Sequence, residues 1–156
     1  MPNKIVDIYN HALKHKGFDY SEITNGIFIG TNMCCQFGFD HELSSKGVTA
    51  DISLEEIKVD APYGVKYFLW LPTKDETPPA KDQLDLGIEA IDFFLKRKIK
   101  IYIHCQKGHG RAPTLFLAYL IVKKGINFED AFNLLHDKRP AIHLSASQVK
   151  MLQTLK

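Results

Sequence analysis

The sequence predicts an α/β fold, in which a central mixed, mostly parallel sheet is flanked by helices. Two observations lead to this fold class. Short runs of β-branched and aromatic residues, bounded by glycine or proline, alternate with longer segments that repeat apolar residues every three or four positions. The length of 156 residues suits one domain with its own core, so we expect a single domain over residues 1–156.

The first half of the chain supplies one predicted helix and three predicted strands. Apolar residues at helical spacing, from Ile5 to Leu13, predict an amphipathic helix within residues 1–20 that Gly17 ends. Residues 25–30, 48–52 and 65–70 are predicted strands. The segment LPTKDETPPAKDQ that follows contains three prolines and several acidic residues, which predicts a polar loop.

Helices dominate the second half. Apolar residues on one face predict a helix from Ala80 onward, and residues 100–103 form the next predicted strand. The segment LFLAYLIV is apolar on nearly every side, which predicts a helix buried in the centre of the domain. Two further helices begin at caps, one at Asn127 and one at a capping box formed by Ser145 and Gln148.

The composition argues against several classes of protein. Hydrophobic residues make up 45% of the chain and charged residues 24%, which is ordinary for a folded domain in water. A formal net charge of +2 without a concentrated basic face argues against a nucleic-acid partner. No apolar run approaches the roughly 20 residues that span a bilayer, so we expect no stable membrane insertion. The N-terminus lacks the pattern of a signal peptide, and we expect a cytoplasmic protein, monomeric by default.

The segment KIYIHCQKGHGRAPT, residues 100–114, carries the chemistry. Cys105 and Arg111 lie at the two ends of a short loop between a predicted strand and the buried helix. Such a loop can converge its backbone N–H groups on a phosphate, and the arginine can bind two phosphate oxygens. The same positive environment favours a cysteine thiolate, so Cys105 is the expected nucleophile. The expected substrate-binding residues are Gln106, Lys107, Gly108, His109, Gly110 and Arg111, with His104 in a supporting role.

The stretch HCQKGHGR is similar to the His-Cys-five residues-Arg signature of the cysteine-dependent protein tyrosine phosphatase superfamily. The chain resembles a compact dual-specificity-type phosphatase domain from ITNGIFIG through KRPAIHLSASQVKML. The resemblance implies hydrolysis of phosphate monoesters through a phosphocysteine, without a metal or other cofactor. The implied partner is a phosphorylated protein, on tyrosine or also on serine and threonine, or another phosphoester.

The resemblance also implies a general acid on a mobile loop about thirty residues before the cysteine. Asp75 lies 30 residues before Cys105, within the proline-rich loop, and is the expected acid. Glu76 and Asp82 are the alternatives.

Three features leave the function open. Ala112 stands where the family usually has a serine or threonine, so the alternative of a phosphate-binding protein with little turnover stays open. A rhodanese-like sulfurtransferase also stays open, because it too places a cysteine in a loop between a strand and a helix. Lys107 and His109 add positive charge, which would favour a polyanionic substrate such as a phosphoinositide; the alternative is that both side chains point to solvent and only tune the loop. Cys34 and Cys35 are adjacent; packing thiols are the favoured interpretation, and a redox partner for Cys105 or a metal site with a histidine are the alternatives.

Overall fold

The computed structural model describes residues 18–36, 38–59 and 61–156. The predicted helix before Gly17 lies outside the described residues. Within these residues, five strands and five α-helices follow one another with one 3₁₀ helix, Asn32–Cys35, between them. The strands are β1 (Tyr20–Thr24), β2 (Ile27–Gly30), β3 (Val48–Ser53), β4 (Tyr67–Trp70) and β5 (Lys100–His104). The helices are α1 (His41–Ser45), α2 (Lys81–Lys96), α3 (Arg111–Lys124), α4 (Phe128–Lys138) and α5 (Ala146–Gln153).

The strands form one sheet in the order β1-β2-β5-β3-β4. β1 and β2 pair antiparallel, and every other neighbouring pair is parallel. The predicted fold class, a mixed and mostly parallel sheet flanked by helices, is therefore confirmed. Because β5 lies at the centre, the segment that leaves its carboxyl end emerges in the middle of the sheet edge, where α/β proteins place their ligand sites.

The alternation of side chains along the strands divides the core into two parts. Ile101 and Ile103 of β5 face the larger part, which α2 and α3 cover. Tyr102 faces a smaller cluster with Phe28 and Leu43, covered by the 3₁₀ helix and α1. The sequence from Arg111 to Ile121 is buried throughout, as expected for a helix with no polar face, and α3 is therefore fixed within the domain.

Some elements differ from the prediction. β1, the 3₁₀ helix and α1 were not predicted, because β1 is a half-exposed edge strand without a clean alternation and the two helices are only four and five residues long. The predicted caps are present: Asn127 accepts a hydrogen bond from Asp130 N, and Ser145 and Gln148 form the capping box of α5. Within the part of the chain that the structure describes, no helix is both long and apolar enough to cross a membrane.

Candidate active site

The loop from Cys105 to Gly110 joins the end of β5 to the start of α3. The parallel neighbour β3 ends beside it, and Leu54 N donates a hydrogen bond to His104 O at 2.8 Å. The loop is therefore anchored to the sheet at the residue that precedes the thiol. Cys105 is buried and is a free cysteine.

Every carbonyl of the loop from Gln106 to Gly110 accepts a hydrogen bond from outside the loop. The donors are Asn32 N to Gln106 O, Arg139 to the carbonyls of Lys107 and Gly108, His143 N to His109 O, and Thr114 N to Gly110 O. The N–H of a trans peptide points opposite to its carbonyl, so the next five N–H groups are directed toward the inside of the loop. Such an arrangement of backbone N–H groups has the form of an anion-binding nest and can bind a phosphate.

Arg139 is central to this arrangement. It is 2% exposed, its Nε donates to Gly108 O at 2.8 Å, and its Nη2 donates to Lys107 O at 2.9 Å. The same guanidinium binds the Asp19 carboxylate at 2.9 Å and the Ser21 hydroxyl at 3.1 Å. Its buried charge is thus compensated, and it holds two loop carbonyls away from the centre.

Gly108 is required where the loop passes over the end of β2. Its φ is +70°, and a Cβ at this position would lie 2.5 Å from Gly30 O. Both the left-handed backbone and the contact with backbone atoms exclude a larger residue. The glycine in the motif therefore serves a close approach between two main-chain segments.

Arg111 is buried, with its side chain directed into the site. Its Nη1 donates to Thr73 O at 2.9 Å, and Oε1 of the buried Glu55 lies 3.7 Å from the same atom. Its Nε lies 3.3 Å from Oδ1 of Asp75 and has no hydrogen-bond partner among the residues that the structure describes. The hydrogen bond of Nη1 therefore fixes the guanidinium, and Nε–H remains directed toward the pocket.

A pocket of about 420 Å³ brings the predicted loop residues together with the acidic loop, the segment between β4 and α2 that carries Asp75 and Glu76. Cys105, Arg111 and Asp75 all line it, whereas Asp82 does not. Asp82 instead lies in the first turn of α2, where its Oδ1 accepts the hydrogen bond of Gln83 N. Glu76 is also at the pocket wall.

The acidic loop is attached to the start of α5. Ser145 Oγ donates to Glu76 O at 2.6 Å, and Ser147 Oγ donates to the same carbonyl at 3.0 Å. The buried Gln148 donates through Nε2 to Thr77 O at 3.1 Å. These three side chains hold the segment that carries Asp75 against the rim of the pocket.

The surroundings of His109 disfavour its charged form. Burial, followed by the nearby Arg139, His143 and Lys107, lowers the pKa of His109 below its ordinary value of 6.5. His109 therefore adds less positive charge near neutral pH than the sequence alone led us to expect. Lys107 also lines the pocket.

His104 lies behind the loop, outside the pocket lining. Its ring stacks on Tyr102, and its Nε2 is 3.1 Å from Oδ1 of Asp51 and 3.9 Å from Sγ of Cys35. Cys34 and Cys35 are joined in a disulfide, which differs from the expected packing thiols. The reason is local: both side chains of this 3₁₀ turn are directed into the same buried cluster.

Ala112 is fully buried at the start of α3. The hydroxyl of Thr114 is already used, because Oγ1 donates to Gly110 O at 2.7 Å. It therefore supports the loop and has no proton left for the sulfur of Cys105.

Sequence reasoning missed Arg139 and the roles of Ser145, Ser147 and Gln148 in holding the acidic loop. The capping box identified Ser145 and Gln148 as helix-capping residues, without indicating their second partners. The pair Arg139-Pro140 was part of the recognised tail, but a single arginine gives no signal for a contact with residues 19, 21, 107 and 108.

Comparison with known proteins settles the family. Residues 27–156 match the family model of the dual specificity phosphatase catalytic domain. The chain belongs to this family. The recognition drawn from HCQKGHGR is confirmed.

Two relatives illustrate the similarity. The protein named "Putative tyrosine phosphatase 123R" of Invertebrate iridescent virus 6 is 38% identical over 133 residues, covering 85% of this chain and 88% of that one. Tyrosine-protein phosphatase yvh1 of Schizosaccharomyces pombe is 25% identical over 143 residues, covering 86% of this chain and 41% of that one. The chain thus spans about two fifths of the yvh1 protein, and 27% of human Dual specificity protein phosphatase 5.

Solved structures share the fold. The human tyrosine phosphatase-like serine/threonine/tyrosine-interacting protein superimposes with a TM-score of 0.76 at 23% identity, covering 86% of this chain and 93% of that one. PTPMT1 in complex with PI(5)P gives a TM-score of 0.71 at 20% identity, covering 86% of this chain and 92% of that one.

We expect Gly108→Ala to weaken binding of tungstate, a phosphate mimic, at least tenfold, because the added Cβ would push the loop away from Gly30. Gly125 is a matched control: its φ is +66° and nothing lies within 4 Å of its Cβ position. Gly125→Ala should lower the free energy of unfolding by about 1–2 kcal/mol and leave tungstate affinity unchanged. Calorimetric titration and thermal melts measure both. Equal tungstate affinity in the two variants would contradict the close-approach argument.

Proposed function

We propose that this protein hydrolyses phosphate monoesters, including phosphotyrosine, through a phosphocysteine on Cys105. The observation that carries the proposal is the set of five outward-facing carbonyls, because it turns the loop N–H groups toward one point beside the buried thiol. Family membership supports the same reaction class. A sulfurtransferase would not need an acidic side chain beside the arginine, and Asp75 supplies one.

In the first step, the thiolate of Cys105 attacks phosphorus and the bond between phosphorus and the leaving oxygen breaks. The loop N–H groups and Arg111 bind the non-bridging oxygens, where negative charge accumulates. Since Nη1 of Arg111 is bound to Thr73 O, Arg111 binds the phosphate through Nε and Nη2. Asp75, at the rim of the pocket, gives its proton to the leaving oxygen.

In the second step, water attacks the phosphocysteine and the bond between sulfur and phosphorus breaks. Asp75, now a carboxylate, accepts the proton of the water, and inorganic phosphate is released. The sulfur must leave as a thiolate. Ala112 offers no hydroxyl to stabilise it, so this step is expected to be the slower one.

A polyanionic phosphoester is a second candidate substrate. Lys107 lines the pocket, and its side chain can bind a second phosphate or carboxylate on the substrate. His109 would add to this attraction mainly at acidic pH, since its pKa is lowered. The fold shared with PTPMT1, solved in complex with PI(5)P, is compatible with such a substrate. A panel of phosphotyrosine peptides, phosphoserine peptides and phosphoinositides, assayed with the wild type and Lys107→Ala, ranks the two classes.

We expect Cys105→Ser to abolish turnover and Arg111→Lys to lower kcat/KM about a hundredfold or more, with both variants folded. A serine hydroxyl is a far weaker nucleophile than a thiolate, and a lysine cannot bind Thr73 O and two phosphate oxygens together. Release of inorganic phosphate measures turnover, and circular dichroism checks folding. Substantial activity in folded Cys105→Ser would exclude the phosphocysteine.

We expect Asp75→Asn to lower kcat about a hundredfold for alkyl phosphates and much less for p-nitrophenyl phosphate, whose leaving group needs little protonation. Asp82→Asn is the matched control, because Asp82 lies outside the pocket, and its rates should match the wild type. If Asp75→Asn keeps the wild-type rates and Glu76→Gln loses most of its activity, the general acid is Glu76.

We expect the wild type to show a burst of leaving group equal to the enzyme concentration, followed by a slower steady rate. Ala112→Ser should shrink the burst and raise the steady rate about tenfold, which corresponds to about 1.4 kcal/mol of barrier. Rapid-quench kinetics measure both phases. If the wild type has no burst and Ala112→Ser is kinetically silent, the buried Ala112 does not limit breakdown of the phosphocysteine.

A further inference from the structure

A second cluster of reactive side chains lies on the opposite face of the sheet from α3. Cys34 and Cys35 come from the 3₁₀ helix, Asp51 from β3 and His104 from β5. All four are buried, and one ligand atom from each lies within 4.8 Å of the others. Nothing in the proposed hydrolysis uses Cys34, Cys35 or Asp51.

The Asp51 carboxylate in this cluster needs compensation that the disulfide does not give. Asp51 is 1% exposed, and its Oδ2 lies 3.3 Å from Sγ of Cys35. A disulfide sulfur has no proton to donate, so this contact is favourable only when Cys35 is a thiol or binds a cation. Oδ1 lies 3.1 Å from Nε2 of His104, an ion pair when that ring is protonated. The carboxylate and the imidazole also lie close enough to the two sulfurs for all four groups to contact one cation.

Three of the distances between ligand atoms lie within about 0.2 Å of those in a tetrahedral zinc site. Zinc binds sulfur at about 2.3 Å and nitrogen or oxygen at about 2.0–2.1 Å, which puts neighbouring ligand atoms of a tetrahedron about 3.3–3.8 Å apart. Here the Cys35–Asp51, Cys35–His104 and Asp51–His104 pairs are 3.3, 3.9 and 3.1 Å apart. Two cysteines, one histidine and one aspartate are also a donor set that zinc accepts.

We propose that Cys34, Cys35, Asp51 and His104 bind one Zn²⁺ when the two cysteines are reduced. A small thiol or phosphine reductant first takes the disulfide to two thiols and is itself oxidised. Zinc then displaces the two thiol protons and is held by two thiolates, the carboxylate and the neutral Nε2 of His104. The ion links the 3₁₀ helix to β3 and to the last residue of β5, directly before the loop that carries Cys105.

The site is structural rather than catalytic. None of its four ligands lines the candidate active-site pocket. Four protein ligands also leave no open position on the ion for a water or substrate. Because the folded chain brings the four ligands together, zinc should bind it more tightly than the unfolded chain and raise the midpoint of thermal unfolding.

The test uses the reduced full chain and Co²⁺ as a spectroscopic stand-in for zinc. We expect one Co²⁺ per chain, with a sulfur-to-cobalt charge-transfer band and visible bands of tetrahedral cobalt, both abolished by one equivalent of Zn²⁺. Cys35→Ser should lose the charge-transfer intensity of one sulfur, and Asp51→Asn should weaken cobalt binding at least tenfold. Cys105→Ser, which leaves the cluster intact, should bind like the wild type.

A second measurement does not depend on the folding of variants. In the reduced wild type, Zn²⁺ should protect Cys34 and Cys35 from alkylation while Cys105 still reacts, as mass spectrometry of the digested protein will show. The proposal is overturned if reduced wild type binds no cobalt through sulfur, if Cys34 and Cys35 alkylate equally with and without zinc, or if Cys105→Ser removes the charge-transfer band.

Discussion

The candidate active site depends on the orientation of five consecutive peptide groups. A backbone nest offers no side chain that mutation can easily replace, so its quality rests on the groups that hold the carbonyls outward. Those groups come from the 3₁₀ helix, from Arg139 after α4, from His143 before α5 and from Thr114 within α3. Donors outside the loop therefore determine how its peptide groups are oriented. An electrostatic site of this kind needs little reorganisation when charge develops in it.

The acidic loop shows how stability and chemistry share residues. Ser145 accepts the hydrogen bond of Gln148 N as the cap of α5 and donates to Glu76 O. Gln148 accepts from Ser145 N and donates to Thr77 O. Each residue thus satisfies the end of a helix and fixes the loop that carries Asp75. A substitution at either residue would therefore destabilise the start of α5 and weaken the contacts that hold the loop with Asp75.

The sequence predicted most of the framework and the centre of the site, for physical reasons. Strands and helices with strong periodicity were found because burial imposes that periodicity, and Cys105, Arg111 and Asp75 were brought into one pocket as the motif and spacing suggested. Short and half-exposed elements such as β1 were missed because little burial shapes their sequence. Long-range partners were missed as well, since the contact between Arg139 and the loop leaves no local pattern. The charge of His109 could not be foreseen, because burial and neighbouring cations decide it.

The contacts of Arg139 also bear on how the site comes into being during synthesis. Its guanidinium contacts Ser21 and Asp19, which lie 118 and 120 positions earlier in the chain. It also binds the loop carbonyls of Lys107 and Gly108. Contacts of such sequence separation form late, because a long segment must close before they contribute. A nascent chain that has emerged only as far as α3 contains Cys105 and Arg111 but lacks the group that orients the loop between them. The loop beside Cys105 therefore gains the contacts that orient it only after the chain has been synthesised as far as Arg139.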